Sequence, residues 1–448
     1  MSGRDQVALT RHGFYDQNTS IKINTREMKH MTSKIRPTRR AVVGGGLAGA
    51  TTMALGAPGR ARAQTAEVKV ALIAPMSGPY ARQGELMKKG GDLAIKHINE
   101  QGGIKSMGGA KMRLVVIDAG DSVEKAKNAA QRLVSSETDI VGGTGSWLSS
   151  YTLAVTEVTE RADLPWLTLS YSDQITLRGF KYVFQTSLPS SMMATDTVPT
   201  VLKLAEQLKV PKPTTIALVQ DNTASPVSFM KPLREGGLEK LGLKAVVDEI
   251  FTPPLADASP LVQKLRSGKP DLLLLIPTAI SDYKLILDKI SEFGLGKGRL
   301  PIISNGAPLG TPEILKLIGK EGLEGLMFSI ANWPVKGQEK IVETFKKEAN
   351  EPWMTQDSMC TYGDMWIFKE GLEAAGKPDR KALAEAIRTM ETKGGSGQYF
   401  PGGNGVMKFD DKGRRVGAEI VFVQWQNGEP VTIYPAAAAI AEPVWQKK

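Results

Sequence analysis

From residue 68 onward the chain alternates two hydrophobic patterns. Short, nearly continuous apolar runs are followed by longer stretches whose apolar positions recur every three or four residues, with Gly, Pro and Asn at the joints. The first pattern predicts strands buried on both faces, the second amphipathic helices. Val68 to Ile73 (VKVALI) reads as a strand, Gly84 to Asn99 as a helix ended by Gly102-Gly103, and Met112 to Ile117 as the next strand. Ser122 to Ser135 reads as a helix whose inner face is Ala126, Ala129, Ala130 and Leu133. Strands follow at 139–141 and 164–169, with a helix over 149–161 between them. After Pro189 the rhythm restarts, with helices expected at 192–208, 226–241, 258–267 and 281–293. Strands are expected at 215–220, 244–250, 271–277, 300–304 and 325–330. Helices at 337–349, 358–375 and 379–391 and a closing pair of strands over 417–434 finish the pattern. Such alternation predicts an α/β protein of doubly wound parallel sheets. The chain beyond residue 63 is too long for one core, so two lobes are expected.

The N-terminus breaks this rhythm. AVVGGGLAGA (41–50) carries Gly44, Gly46 and Gly49 in the spacing of a dinucleotide-binding turn. That turn needs a buried strand before it, a helix after it and an acidic residue about 20 positions on. Here the strand is reduced to three residues behind Arg39-Arg40, the helix meets Pro58-Gly59, and Glu67 lies beyond the break. An export signal fits instead. Arg36, Arg39 and Arg40 precede an uncharged stretch over 41–59, and Ala61-Arg62-Ala63 offers small residues for cleavage before Gln64. Thr38-Arg39-Arg40 is similar to a twin-arginine signal, and the general secretory route stays open. Residues 1 to about 30 read as an upstream extension, with Met28 or Met31 as candidate starts. Residues 1–63 are therefore expected to be removed and the remainder to reach the periplasm, without a lipid anchor because Gln64 is not a cysteine.

Composition changes once that leader is set aside. Residues 1–63 hold 11 of the 57 Lys+Arg and 3 of the 47 Asp+Glu, leaving 46 against 44, so the formal +10 falls to +2. The basic balance thus belongs to the leader and gives no argument for nucleic-acid or membrane partners. The one cysteine, Cys360, allows no disulfide framework. His97 is the only histidine after residue 63, which disfavours zinc sites and a Ser-His-Asp triad. It sits in a helical run, LAIKHINEQGG, and reads as a packing or surface residue. No cofactor and no metal are expected.

One turn has a chemistry of its own. GTGSWLSSYTLAV places Ser146, Ser149 and Ser150 at the start of a helix that follows a strand. There a hydroxyl caps free backbone N–H groups, or the same donors receive a ligand carboxylate at the carboxyl edge of the sheet; both readings stand.

Several stretches together resemble a known family. They are SGPYARQGE (77–85), the spacing from Asp118 to Gly143, the serine turn (145–155), IALVQDNTASP (216–226), LPIISNGA (300–307), TYGDMWIFKEGLEAAG (361–376) and GVMKFDDKGR (405–414). This succession, covering residues 66 to 434, resembles the periplasmic solute-binding proteins of branched-chain amino acid importers. The resemblance implies two lobes, 64–187 with 331–405 and 188–330 with 406–448, joined by three crossings near 186–189, 328–334 and 405–410. It further implies a monomer that closes on a small ligand and delivers it to an ABC permease.

It also implies site residues. Ser149 matches the family's carboxylate-binding serine, and Ser170, Tyr171 and Ser172 in LSYSDQIT are candidates in the second turn. Tyr80 and Gln83 flank the cleft, and Trp147 is either an apolar wall or ordinary packing. Asp221 either bonds the ligand or caps a turn. Three positions depart from the family: Gln83 and Ser225 stand where aromatics are frequent, and Asn305 where amino-acid binders carry an acid for the ligand ammonium. The last makes an aromatic or short aliphatic acid, or an amide, a competitor to an amino acid. Two rival functions remain. A receptor-presenting sensor would use the same fold. A hydrolase is opposed by the missing G-x-S-x-G, to which GTGSWL is the nearest approach.

Overall fold

The structure, a computed structural model, describes residues 67–445. Arg36, Arg39, Arg40, the glycine run at Gly44, Gly46 and Gly49, and the expected cleavage at Ala63–Gln64 lie outside the described residues.

Two main sheets organise the chain. The first is parallel throughout, in the order β2-β1-β3-β4-β5, from β1 (Glu67–Ala74), β2 (Lys111–Asp118), β3 (Ile140–Gly145), β4 (Trp166–Thr168) and β5 (Val183–Gln185). Its crossovers are α1 (Ala81–Glu100), α2 (Val123–Ser136), α3 (Ser149–Arg161) and the one-turn α4 (Gln174–Leu177). In the second sheet, β6 (Thr215–Asp221), β7 (Lys244–Phe251), β8 (Leu272–Ile276), β9 (Ile302–Asn305) and β10 (Met327–Ile330) are parallel. Around them run α5 (Ser190–Gln207), α6 (Ala224–Pro232), α7 (Leu238–Lys240), α8 (Ser259–Gly268), α9 (Ile280–Glu292), α10 (Pro312–Ile318) and α11 (Lys320–Leu323). The chain then returns to the first sheet with α12 (Glu339–Ala349), α13 (Gln356–Ala375) and α14 (Arg380–Thr389). A small ribbon of β11 (Glu391–Lys393) and β12 (Val406–Lys408) follows. The antiparallel hairpin β13 (Val421–Gln426) and β14 (Glu429–Tyr434) closes one edge of the second sheet.

The cores follow from the patterns. Ala126, Ala129, Ala130 and Leu133 are buried against the first sheet, as their helical spacing requires. The second sheet buries both faces, one under Val262, Tyr283 and Ile286, the other under Met193, Val198 and Phe229. Helix starts are capped locally: Ser122 Oγ accepts from Lys125 N at 3.2 Å, and Thr355 and Ser358 form a capping box at the head of α13. α1 crosses α13 so closely that a Cβ at Gly90 would lie 2.1 Å from the Ser358 carbonyl oxygen. His97 packs as expected, its Nδ1 2.9 Å from the Tyr362 hydroxyl.

Some expectations need correcting. The helix over 226–241 is broken by a wider turn at residues 233–237, where Pro232 has no N–H to give and Gly236 adopts φ +90°. The closing strands begin at Val421, not 417. Met407 and Phe409 bury in the first core, while Ile420 joins the second. Arg415 ties this passage to the first crossing, its Nε donating to Thr186 O at 2.9 Å and Nη2 to Pro401 O at 2.8 Å. Residues 407–415 therefore keep company with the first sheet. No helix among the described residues is long and apolar enough to cross a membrane.

Candidate functional site

The serine turn is built on backbone that side chains rarely accept. Gly145, Ser146 and Trp147 have φ of +119°, +67° and +52° in succession. Each non-glycine in that region costs on the order of 1–3 kcal/mol and survives only where its surroundings hold it. At Gly145 a Cβ would sit 2.1 Å from the Ile73 carbonyl, so only glycine fits. Trp147 is held from two sides. Its Nε1 donates to Asp357 Oδ1 at 2.9 Å, and the ring of Tyr80 lies 5.2 Å away. The carboxyl of Asp357 is wholly buried, and burial pushes its pKa up to about 7 against the pull of the indole N–H.

Below the turn lies a cavity of about 60 Å³, walled by both sheets' loops. From the first come Trp147, Ser149, Ser170 and Tyr171, joined by Gln356 at the head of α13. Ser149 Oγ accepts from Tyr171 N at 3.2 Å and Ser172 N at 3.0 Å, so its proton is what it has left to give. Ser170 Oγ donates to Trp147 O at 2.8 Å and lies 2.6 Å from Thr152 Oγ1, which occupies its hydroxyl within the scaffold. The Tyr171 hydroxyl donates to Gln356 Oε1, and burial raises this phenol well above its ordinary pKa. The Tyr171 ring packs in the apolar core of the second sheet, across the seam between the two.

From the second sheet come Thr223, Ser225, Thr278 and Asn305, with Ile276, Pro277 and Pro308 as apolar surface. Asn305 Nδ2 donates to Ser329 Oγ at 3.0 Å and Ser329 O at 3.2 Å, which leaves Oδ1 as the amide's free capacity. Ser225 Oγ lies 3.1 Å from Ser190 Oγ. Among the described residues, no Asp, Glu, Lys, Arg or His lines the cavity.

Five expected residues do not line it. Asp221 is buried and acts as a pin: Oδ1 accepts from Thr223 N at 2.9 Å and Thr223 Oγ1 at 2.6 Å, and Oδ2 from Thr278 N at 2.6 Å. Its capping alternative is the one the geometry realises. Tyr80 stands outside Trp147, its phenol pushed up to about 12 by burial and, secondarily, by Asp221. Gln83 is buried with Oε1 unpartnered, Ser150 in the first turn of α3 is absent from the lining, and Ser172 Oγ meets Ser228 Oγ at 3.1 Å across the seam. Arg82 forms a second contact across the seam, its Nε 2.8 Å from Glu313 Oε1, while its Nη2 lies 2.5 Å from Glu351 Oε2 on its own side. Sequence reading missed Gln356, Asp357 and Thr278. The capping box at Thr355 and Ser358 was a signal for the first two, because it marks a helix head, where α/β sites collect their donors. Among the described residues, no group of three or more His, Cys, Asp or Glu could hold a metal ion.

Comparisons with known proteins agree with this architecture. A family model described as periplasmic binding protein matches residues 67–430. The Leu/Ile/Val-binding protein homolog 7 of Brucella melitensis is 28% identical, over 84% of this chain and 94% of its own length. A leucine binding protein from Thermotoga maritima superposes with a TM-score of 0.69 at 21% identity, covering 82% of this chain and 97% of that one. A solute binding protein from R. palustris in complex with benzoate gives 0.66 at 18%, covering 85% and 99%.

Proposed function

The chain belongs to the periplasmic binding protein family, and from that premise we propose that it is the exported solute-binding component of an ABC importer, capturing a small carboxylate between two closing lobes and delivering it to the permease. The observation that carries this reading is a cavity with Ser149 and Trp147 on one wall and Thr278 and Asn305 on the other. Neither lobe alone forms the cavity, so capture and closure are one event.

The carboxylate is seated at Ser149. That hydroxyl already accepts two backbone N–H bonds, so it is polarised to donate, and it stands at the N-terminus of α3, where the helix dipole favours an anion. Trp147 and Tyr171 hold the apolar body of the ligand. Leucine and benzoate, the ligands named for two similar structures, share these two features. A dissociation constant of about 1 μM corresponds to roughly −8 kcal/mol. One charged hydrogen bond of about 1.5–3 kcal/mol and burial of a small apolar body are terms of the size needed.

The moving bodies are 64–187 with 331–415 and 188–330 with 416–448, a third crossing later than the expected 405–410 being supported by the burial of Met407 and Phe409 in the first core and by the bonds of Arg415. The protein acts in the periplasm as a monomer, after removal of residues 1–63, and it performs no chemistry on its ligand. Thermal unfolding in the presence of small carboxylates tests the reading. Stabilisation should grow with ligand concentration over Kd, and S149A should weaken the effect roughly 10- to 100-fold. Stabilisation by neutral solutes but by no carboxylate would overturn it.

A further inference from the structure

We infer that the ligand is a compact monocarboxylic acid with an apolar body and no ammonium group. This rests on the carboxylate-binding function proposed above and narrows its ligand. A buried ammonium brings three donors and a full charge, and unless a carboxylate meets it the desolvation penalty stands uncompensated. The wall opposite Ser149 offers none. Asn305 occupies that position with a neutral amide whose Nδ2 is fixed on Ser329, so at most one neutral acceptor, Oδ1, remains. Gln356 Oε1 is taken by the Tyr171 hydroxyl.

No nearby carboxylate lines the cavity. Asp221 has both oxygens bonded to the 223 and 278 turns. Asp357 does not line the cavity: its Oδ1 accepts from the Trp147 indole and its Oδ2 is buried without a partner, while burial raises its pKa toward the uncharged acid. Asp282, in the first turn of α9, accepts from Leu255 N at 3.0 Å and keeps a buried Oδ2 without a partner, but it does not line the cavity. Burial raises its pKa, which favours the uncharged acid over a counter-ion.

Isothermal titration of the whole chain with pairs differing only in the α-ammonium tests this directly: propanoate against alanine, 3-methylbutanoate against valine, 4-methylpentanoate against leucine. The acid should bind about tenfold or more tighter than its amino acid, a difference of roughly 1.4 kcal/mol or greater. N305D should shift that preference toward the amino acid by restoring a charge partner. Equal or tighter binding of the amino acid to the unaltered protein overturns the inference while leaving the carboxylate seat intact, and loss of that binding in D282N would then identify Asp282 as the partner. Binding of 3-methylbutanamide with neither member of the pair overturns the carboxylate seat itself, and the proposed function with it.

Discussion

The two walls of the cavity are made of similar residues in opposite conditions. On the first-sheet wall, backbone strain and buried hydrogen bonds are concentrated: two successive side chains adopt left-handed φ, and Trp147 is fixed by Asp357. On the second-sheet wall, Asp221, Thr223 and Thr278 form an ordinary turn network, and Asn305 is aligned by Ser329. Strain is retained where a surface must be held against a ligand. The first wall thus reads as the fixed receptor, and the second as the lid whose chemistry selects what the receptor may keep.

The contrast can be broken most strongly at Trp147. W147A removes the wall and leaves Asp357 Oδ1 without its donor, so unfolding free energy should fall by about 3–5 kcal/mol and ligand affinity on the order of hundredfold. Urea denaturation and titration calorimetry measure the two. A smaller effect comes from Asp357 itself. Its pKa is raised from the ordinary carboxyl value to about 7 in the folded protein. Between about pH 4 and pH 7 the folded state therefore holds a proton that the unfolded state has lost, and stability declines as pH rises through this window. Asp364, pushed up to about 7 by burial as well, acts in the same sense. D357N keeps an acceptor for the indole but not the titration, so its unfolding free energy should fall less between pH 5 and pH 8 than that of the unaltered protein. An identical pH slope would remove Asp357 from the account. The least effect is expected on the second wall, where T278V deletes a hydroxyl that bonds Thr223 Oγ1 at 2.9 Å. Affinity for a short acid should change by less than about 1 kcal/mol. A change as large as that of W147A would erase the distinction between receptor and lid.

The fold was legible because its strands and longer helices each carry a period that repeats long enough to be seen. Val68 to Ile73, the alanine face of α2 and the leucine run of β8 all settle into the sheets their patterns demand. α4, α10 and α11 offer only four to seven residues, too few for a helical period to emerge. The break at residues 233–237 was signalled by Pro232, Gly236 and Gly237, which an apolar period over 226–241 obscured. The site was readable only in part. Ser149 and Tyr171 follow strand ends in recognisable turns, but the partners that orient them, Gln356 and Asp357, lie far along the chain. Nothing local ties Trp147 to an aspartate 210 positions later. Asp221 misled in the opposite way, since a carboxylate at a strand end has the same sequence appearance whether it meets a ligand or a turn.

Tyr171 belongs to the first lobe by its backbone and to the second lobe's core by its ring. In the proposed capture cycle each opening draws an aromatic ring out of apolar packing and parts Arg82 from Glu313. On that reading the seam acts as a clock: ligand residence time is set by how often the ring lets go, and loosening the packing around Tyr171 should raise the off-rate.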